Sequence, residues 1–288
     1  MSFSGLMSIG LSGLNAFAKG LEAVSSNIAN SQSSGYKRVR TDFSDLIPVG
    51  APSLNQTVGA GVIGTGVSAA ARQLVDEQGA ILRTNEHTNI AIAGDGFFVV
   101  SKDVTPANDF LFTRAGDFSP DALGNLVNAS GLYLQGATID ASGAASVGSL
   151  AGLETVNINR TPAGASAATL GALTGVTVDE DGLVIASYAN GETRPLFQIP
   201  LALFTNTSGL EEGDATTFMA TTLSGVASLA AARSGRAGAI EGAAVEASTV
   251  DIGQEFSTLI QTQRAYSTNA RVLSVADELW RTAVETAA

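Results

Sequence analysis

The stretch Glu255–Trp280 reads EFSTLIQTQRAYSTNARVLSVADELW and contains neither proline nor glycine. Its apolar residues recur every three or four positions, which is the spacing that places them on one face of an α-helix. The pattern begins at Ser248, where Asp251 three residues on favours a helix start, and it continues to Val284. A helix over this range is predicted to be about 55 Å long at 1.5 Å per residue.

This long helix carries two apolar stripes. The first follows steps of four and three along Ile252, Phe256, Leu259, Gln263, Tyr266, Ala270, Leu273, Asp277, Trp280 and Val284. The second consists of Ile260, Val272, Val275 and Leu279. Exposing about five such side chains would forgo roughly 10 kcal/mol, at about 2 kcal/mol each, which is comparable to the stability of a domain. Because a helix that is apolar on two sides is usually buried on two sides, we expect a second partner, either another copy or another chain.

A second helix is predicted at the N-terminus, from Ser4 to about Asn30. Its apolar residues fall on a heptad spacing with Gly10 filling the vacant place; they are Met7, Leu14, Phe17, Leu21, Val24 and Ile28. The run NSQSSG at 30–35 consists of cap and turn formers, so the helix should end there. This helix can cover one stripe of the C-terminal helix.

Between Tyr36 and about Glu246 the pattern changes to short β-rich runs. We predict strands and hairpins within 89–100, 110–119, 124–136, 175–193 and 197–206. Asp181-Gly182 and Asn190-Gly191 lie between alternating apolar runs and suit tight hairpin turns that need positive φ. Two stretches rich in Gly, Ala and Ser, at 50–66 and 224–242, are interpreted as extended connectors.

The predicted fold class is α+β, with the N- and C-terminal helices pairing as a coiled coil and a mainly antiparallel β domain between them. The terminal helical domain is assigned to 1–35 and 247–288, the connectors to 36–85 and 225–246, and the β-rich domain to 86–224. A two-helix hairpin packed on its own β domain is the alternative. The clear alternation in the β segment offers no obvious apolar outer face, which favours self-assembly over that alternative.

The composition excludes several functional classes. The chain has 15 basic and 27 acidic residues, a net charge of −12 and no long basic run, which argues against nucleic-acid binding. It has no cysteine, so disulfides and thiolate sites are excluded. No uninterrupted apolar stretch reaches about 18 residues, so no membrane span is expected. Ala16-Phe17-Ala18 suits a cleavage site, but no basic residue precedes Lys19, and a secretory signal is not expected.

Few residues suggest catalysis or ligand binding, and we predict no enzyme, cofactor or metal site. The 59–64 segment matches G-x-G-x-x-G, but it follows no convincing strand and lies in no βαβ unit. The single histidine, His87, stands in a polar run and is predicted to be an exposed loop residue. Asp179 and Asp181 resemble part of a calcium loop without its last glutamate, so a hairpin turn explains them better.

Three asparagines, Asn27, Asn30 and Asn269, could be site residues. Helix capping and hydrogen bonds between the helices are the preferred interpretation, because a buried amide in an apolar seam fixes its register.

Three motifs, in the same order along the chain, resemble the bacterial flagellar axial proteins of the rod and hook family. SGLNAFAKGLEAVSSNIANSQSSGYKR at 12–38 resembles the N-terminal signature, with Ser26 where the family often has asparagine and Ser33 where it usually has threonine. The segments 91–100 and 113–136 resemble the shared β core. The C-terminal segment 246–280 is similar to the closing motif, whose most specific residues here are Gln263 to Tyr266, Asn269 and Asp277-Glu278.

The resemblance implies a structural subunit of a tubular helical polymer in the bacterial flagellum, outside the cell. SGYKRV and QRAYSTN are more similar to hook than to distal-rod sequences, which favours a hook subunit, whereas the length is closer to that of rod proteins. A distal or proximal rod subunit is the alternative within the family, and a secreted β-domain enzyme or adhesin is the alternative from a different class. The family's implied partners are further copies of the chain, the distal rod, the hook-filament junction, the hook cap and the type III export apparatus. The terminal segments of the free monomer are expected to be disordered. The helical contacts between subunits are then expected at Leu14, Phe17, Leu21, Val24, Ile28, Phe256, Leu259, Gln263, Tyr266, Leu273 and Trp280.

Overall fold

The structure is a computed structural model that describes residues 3–46, 66–105, 109–140, 142–145, 147–166 and 170–287. The 59–64 glycine motif and nearly all of the connector predicted at 50–66 lie outside these residues. The chain divides into two compact units. The helical unit comprises Met1–Ser31, Arg38–Leu74 and Val250–Ala288, and the β unit comprises Gln32–Lys37 and Val75–Thr249.

The helical unit contains both predicted helices and one hairpin. Helix α1 spans Phe3–Ala29 and helix α2 spans Ile252–Ala287, and the antiparallel strands between them are β1 (Val39–Leu46) and β2 (Gly66–Gln73). The predicted start of the last helix at Ser248 is wrong. The helix begins after Asp251, whose carboxylate accepts the backbone N–H of Gln254 at 3.0 Å and caps the first turn.

The two helices contact each other along a line of glycines on α1. Gly10, Gly13 and Gly20 are buried, and a Cβ atom built on each would lie near Leu273, Asn269 and Thr262 respectively. Residue numbers rise on α1 as they fall on α2, so the helices are antiparallel. At Gly13 the added Cβ would be 2.5 Å from the amide nitrogen of Asn269. The glycines therefore permit a close approach, while supercoiling of the pair stays a prediction.

The hairpin β1–β2 also packs on α1, which the sequence did not lead us to expect. The rings of Phe17 and Phe43 lie 5.5 Å apart, centroid to centroid. The Asn27 amide exchanges two hydrogen bonds of 2.8 Å with the backbone of Val39 at the start of β1. The Asn27 amide therefore holds the start of β1 against the end of α1, a contact to a strand that the interpretation as a cap or an interhelical bond did not include.

Among its described residues, the β unit contains seventeen short strands. They are β3 (Ile81–Arg83), β4 (Ile90–Ala93), β5 (Phe97–Ser101), β6 (Phe110–Thr113), β7 (Phe118–Pro120), β8 (Leu126–Asn128), β9 (Tyr133–Thr138), β10 (Leu153–Thr155), β11 (Leu173–Val178), β12 (Leu183–Tyr188), β13 (Thr193–Gln198), β14 (Pro200–Leu203), β15 (Glu211–Glu212), β16 (Thr217–Met219), β17 (Ser228–Ala231), β18 (Ala239–Gly242) and β19 (Ala244–Glu246). The main sheet runs β11-β12-β13-β9-β5-β6-β16-β15; β14 also pairs with β5, and β17 pairs with β14. All pairings between these strands are antiparallel, which confirms the predicted β class.

Strand β5 lies at the centre of the core and is buried on both faces. Phe98 and Val100 belong to one hydrophobic cluster, and Phe97 and Val99 belong to another. Successive side chains of a strand point to opposite faces, so each cluster covers one side of the strand. This explains why FFVVS reads as a continuous apolar run rather than as an alternating one.

The segment 225–246, which we interpreted as a connector, forms three strands. β17 pairs with β14, β18 pairs with β4, and β19 pairs with β3. Their alanines, serines and glycines give a weak side-chain pattern, but their backbone groups complete the ladders. In the described parts, neither helix combines the length and apolar character needed to cross a membrane.

The predicted hairpin turns are confirmed. Gly182 and Gly191, at φ of 78° and 85°, end the turns that join β11 to β12 and β12 to β13. The Asp179 carboxylate accepts the N–H of Leu183 at 2.8 Å, so this aspartate holds a turn, as predicted. His87 is exposed in a turn, also as predicted.

The turn before β8 gives a pH prediction. Hydrogen bonds from the Asn125 side chain and from the backbone N–H groups of the turn hold the pKa of Asp121 below its ordinary value of 3.8. A lowered pKa contributes stability that is present above pH 3.8 and is lost as the pH falls through the folded value. Asp121→Asn keeps an acceptor but no longer titrates, so its unfolding midpoint in urea is expected to fall less than that of the parent between about pH 4 and pH 2.

The next turn supplies a matched control. Asn128 occupies the equivalent place and accepts the N–H groups of Ser130 and Leu132 at 3.0 and 2.9 Å. Asn128→Asp should add the acid dependence that Asp121→Asn removes. Parallel pH profiles for the parent and both variants would contradict this account.

Candidate assembly surface and buried charge cluster

The predicted contact residues of α1 are mostly covered within the helical unit. Leu14, Phe17, Leu21 and Ile28 are half-buried and Val24 is buried. Part of this cover comes from the hairpin, as the Phe17–Phe43 contact shows. A role of these residues between subunits stays a prediction.

The predicted contact residues of α2 divide into two groups. Leu259 and Leu273 are half-buried, and Leu273 lies beside Gly10 of α1. Phe256, Gln263, Tyr266 and Trp280 are exposed. α1 thus covers only part of the first stripe. A role of these α2 residues between subunits stays a prediction.

Small or polar residues of α2 fill the side that is covered. Glu255 and Ala276 are buried, and Thr262, Ala265 and Asn269 are half-buried. These five positions are separated by seven, three, four and seven residues, which is a heptad spacing. This heptad spacing of small and polar residues is present in the sequence, but a search for large apolar residues does not detect it.

The apolar surface that remains on α2 is extensive, and we call it the outer face. It comprises Ile252, Phe256, Ile260, Tyr266, Val272, Val275, Leu279 and Val284, each of them 39 to 63% exposed. Scattered apolar residues are common on protein surfaces, but a run along one helix of this length indicates an interaction site. The second stripe predicted from the sequence, Ile260, Val272, Val275 and Leu279, lies entirely within it.

A cluster of three buried charges lies in the β unit. The ammonium of Lys37 is 2.5 Å from one carboxylate oxygen of Glu246, and both side chains are fully buried. The guanidinium of Arg114 is 3.4 Å from the other oxygen of Glu246. This buried charge cluster joins the segment before β1, the residue after β6 and the end of β19.

Backbone groups satisfy much of the remaining hydrogen-bonding capacity of the cluster. Lys37 also donates to the carbonyl of Glu77, Gly79 donates its N–H to Glu246 at 2.8 Å, and Arg114 donates to the carbonyl of Gly94 at 2.8 Å. Burial lowers the pKa of Lys37 and of Arg114, and the carboxylate of Glu246 opposes that shift in each case. Glu246 is therefore the carboxylate that pairs with both buried cations, while Glu77 makes a smaller contribution at Lys37 and Asp95 at Arg114.

A second buried carboxylate belongs to the helical unit. Glu255, in the first turn of α2, is 2.5 Å from the guanidinium of Arg38 and is 1% exposed. Adjacent residues of the Gly35-Tyr36-Lys37-Arg38 motif thus pair with two acids of the C-terminal segment. Sequence reasoning used the motif to find a resemblance but missed its structural role, because no local pattern links positions more than 200 residues apart.

Gly35 fixes the backbone where this motif begins. Its φ is 66°, and a Cβ atom would lie 2.4 Å from the backbone nitrogen of Ala115. Its N–H donates to the carbonyl of Glu246 at 2.8 Å. We expect Gly35→Ala to lower the free energy of unfolding of the β unit by about 3 kcal/mol or more, since backbone strain and a backbone clash add together.

Gly131 is the matched control for this prediction. Its φ is 78°, and an added Cβ would meet nothing within 4 Å. Gly131→Ala should cost only the strain of the left-handed conformation, about 1–2 kcal/mol. Equal losses for the two variants in urea unfolding would show that the contact with Ala115 is unimportant.

An α+β chain with a long apolar surface on a terminal helix has the features of a protein that associates with other proteins. Three family models match it: "Flagella basal body rod protein" at residues 7–37, "Flagellar hook protein FlgE/F/G D1 domain" at 91–186 and "Flagellar basal body rod FlgEFG protein C-terminal" at 241–286. The chain belongs to the flagellar hook and basal-body rod protein family, whose members are structural components of the bacterial flagellum.

Individual relatives fall into two groups. The chain is 42% identical over 175 residues to the flagellar hook protein FlgE of Brucella abortus, which covers 60% of this chain and 41% of that protein. It is 33% identical over 279 residues to the flagellar basal-body rod protein FlgG of Caulobacter vibrioides, which covers 93% of this chain and 94% of that protein. The FlgG of Agrobacterium fabrum is 30% identical over 283 residues, with 95% of each chain covered. The chain thus spans about two fifths of the Brucella hook protein and almost all of the rod proteins.

Proposed function

We propose that this protein is a structural subunit of the flagellar hook, and that it assembles with further copies of itself into a flexible helical tube outside the cell. The observation that carries the proposal is the outer face of α2. A partner that buries this face removes several large apolar side chains from water, which stabilises association in proportion to the area covered.

The arrangement of the helical unit suits a polymer. The glycines Gly10, Gly13 and Gly20 of α1 pack against the covered side of α2, which consists mostly of small and polar residues. The large side chains of the outer face of α2 therefore remain available to neighbouring copies. Heptad spacing on α2 allows such contacts to repeat along the helix. In this proposal the α1 residues predicted at the interface, from Leu14 to Ile28, contribute where the hairpin leaves them uncovered. The rod, the hook-filament junction, the hook cap and the export apparatus are proposed as its further partners.

A rod subunit is the second candidate, and one observation favours it specifically. The FlgG relatives match over 93 to 95% of the chain, whereas the Brucella hook match covers 60% of it. The identity within the matched region favours the hook, at 42% against 33%. The two candidates share the same assembly surface and differ in the mechanics of the tube.

Electron microscopy of polymers grown from the purified protein tests both candidates. We expect tubes that curve and change their curvature with temperature or ionic strength. Straight tubes of constant stiffness would replace the hook proposal with the rod proposal. A protein that stays monomeric at high concentration, with termini resistant to limited proteolysis, would contradict both and favour an ordinary helical hairpin.

A further inference from the structure

The β unit presents two aliphatic side chains on a rigid loop between β16 and β17. Leu223 and Val226 are 77% and 88% exposed, the highest values among the large apolar residues that the structure describes. We define Thr221–Val226 as the aliphatic loop. Such a pair forms a defined binding surface only if the loop that carries it is ordered.

Hydrogen bonds hold the aliphatic loop in one conformation. The hydroxyl of Thr221 accepts the N–H groups of Leu223 and Ser224 at 3.1 and 3.2 Å and donates to the carbonyl of Gly209 at 2.5 Å. Ser224 is fully buried, and its hydroxyl accepts the N–H of Thr221 at 2.9 Å. A Cβ atom at Gly209 would lie 2.6 Å from the carbonyl carbon of Leu223, so the loop rests directly on that glycine. Leu223 and Val226 are therefore held in one position before any partner binds, which reduces the entropic cost of binding.

Another part of the β unit carries an apolar hollow, which we call the Phe197 pocket. Its volume is about 460 Å³, and its apolar lining residues are Val104, which is exposed, and Leu153 and Phe197, which are buried. Phe197 lies buried at the pocket, and the hydroxyl of Thr155 donates to the carbonyl of Val104 at 2.8 Å and fixes one wall. Since Leu223 and Val226 are exposed, the loop of the same chain does not fill this pocket.

Charge indicates which partner these surfaces fit. The chain carries a net charge of −12, so two copies repel each other over most of their surface. The segment Ala215–Ala232, which contains the aliphatic loop, has no charged residue. The charges beside the pocket, Glu154 and Arg160, form an ion pair with each other, and the Arg160 guanidinium lies 5.3 Å from the Phe197 ring centroid. Both surfaces are thus neutral regions of an acidic protein.

We propose that the aliphatic loop of one copy inserts Leu223 and Val226 into the Phe197 pocket of the next copy. This contact rests on the proposed function, and it adds an outer connection to the one made by the helices. The two surfaces consist of different residues, which permits a head-to-tail contact, and growth of the proposed polymer requires one. Such a contact leaves a free loop at one end and a free pocket at the other, and it generates an open helical array rather than a closed dimer.

The absence of cysteine makes a crosslinking test direct. In the Val104→Cys/Leu223→Cys variant, oxidation of assembled polymers should give a ladder of covalent dimers, trimers and longer chains. The Leu82→Cys/Leu223→Cys variant is the control, because Leu82 is 54% exposed on β3 and does not line the pocket. Polymers that form normally and give no ladder would overturn the inference, and covalent dimers alone would overturn the head-to-tail arrangement.

A pair of substitutions of opposite charge, one in the loop and one in the pocket, tests the same contact if the cysteine variant does not assemble. Leu223→Lys and Val104→Glu, each alone, should raise the critical concentration for assembly at least about tenfold, because each places an unpaired charge in an apolar contact. The double variant should return to within about threefold of the parent, because the charges then pair. Additive losses in the double variant would overturn the inference. Failure of the parent protein to polymerise would instead count against the proposed function.

Discussion

Glu246→Gln is expected to lower the free energy of unfolding of the β unit by about 3–5 kcal/mol, because it leaves two buried cations without their anion. Glutamine keeps the shape of the side chain and can still accept the N–H of Gly79, so the loss reports the charge. Lys37 and Arg114 are both close to full burial and cannot turn to solvent without opening the strands around them. Urea unfolding followed by circular dichroism measures the effect.

Glu241→Gln is the control for this change. Glu241 lies on the neighbouring strand β18, its side chain is 38% exposed, and its nearest cation, Arg83, is 3.9 Å away. An exposed pair contributes little, so the loss should stay below about 1 kcal/mol. A Glu246→Gln protein as stable as the Glu241→Gln protein would mean that water or an alternative partner compensates the buried cations.

Tyr266→Asp is expected to abolish polymer formation while the β unit stays folded. Tyr266 lies on the outer face and is 39% exposed, so the free chain should tolerate the substitution. In a polymer the change loses the burial of an aromatic ring, about 2 kcal/mol, and also buries a charge. At 1.4 kcal/mol for each factor of ten, the critical concentration should rise at least about 30-fold. Sedimentation of polymers across a concentration series measures it.

Two further variants separate assembly from folding. Leu259→Asp should also abolish polymers, but Leu259 is half-buried within the helical unit, so this variant should also destabilise the helices. Leu123→Asp introduces the same charge at a side chain that is 71% exposed in the β unit, and we expect normal assembly. Loss of β-unit structure in Tyr266→Asp would favour the hairpin alternative over assembly.

Sequence reasoning predicted the elements that depend on local patterns. Both helices follow from the spacing of apolar residues, and the turns at Gly182 and Gly191 follow from the need for positive φ. The end of α1 at Ala29 agrees with the run of turn formers after it. In each case the residues that determine the element lie within a few positions of it, so the element can be predicted from one sequence.

Sequence reasoning failed where the structure depends on distant partners or on small side chains. The pairing of Lys37 with Glu246 joins residues that no periodicity relates. Strand β18 pairs with β4, which lies nearly 150 residues earlier in the chain. The composition of β18 alone suggests a connector. The covered side of α2 was missed for a different reason. It consists mostly of small and polar residues, among them Thr262 and Asn269 beside the glycines of α1, and a search for large apolar residues does not reveal it.

The hairpin tip at Asn190-Gly191 has a consequence for how chains of this fold can grow. Both residues are exposed, and nothing lies within 4 Å of a Cβ atom built on Gly191. The strands on either side, β12 and β13, are paired with each other by hydrogen bonds. Residues inserted between them at the tip would extend into solvent and would not disturb this pairing. Such a position can accept an affinity tag, a fluorophore-binding peptide or a whole additional domain while the scaffold below it stays intact.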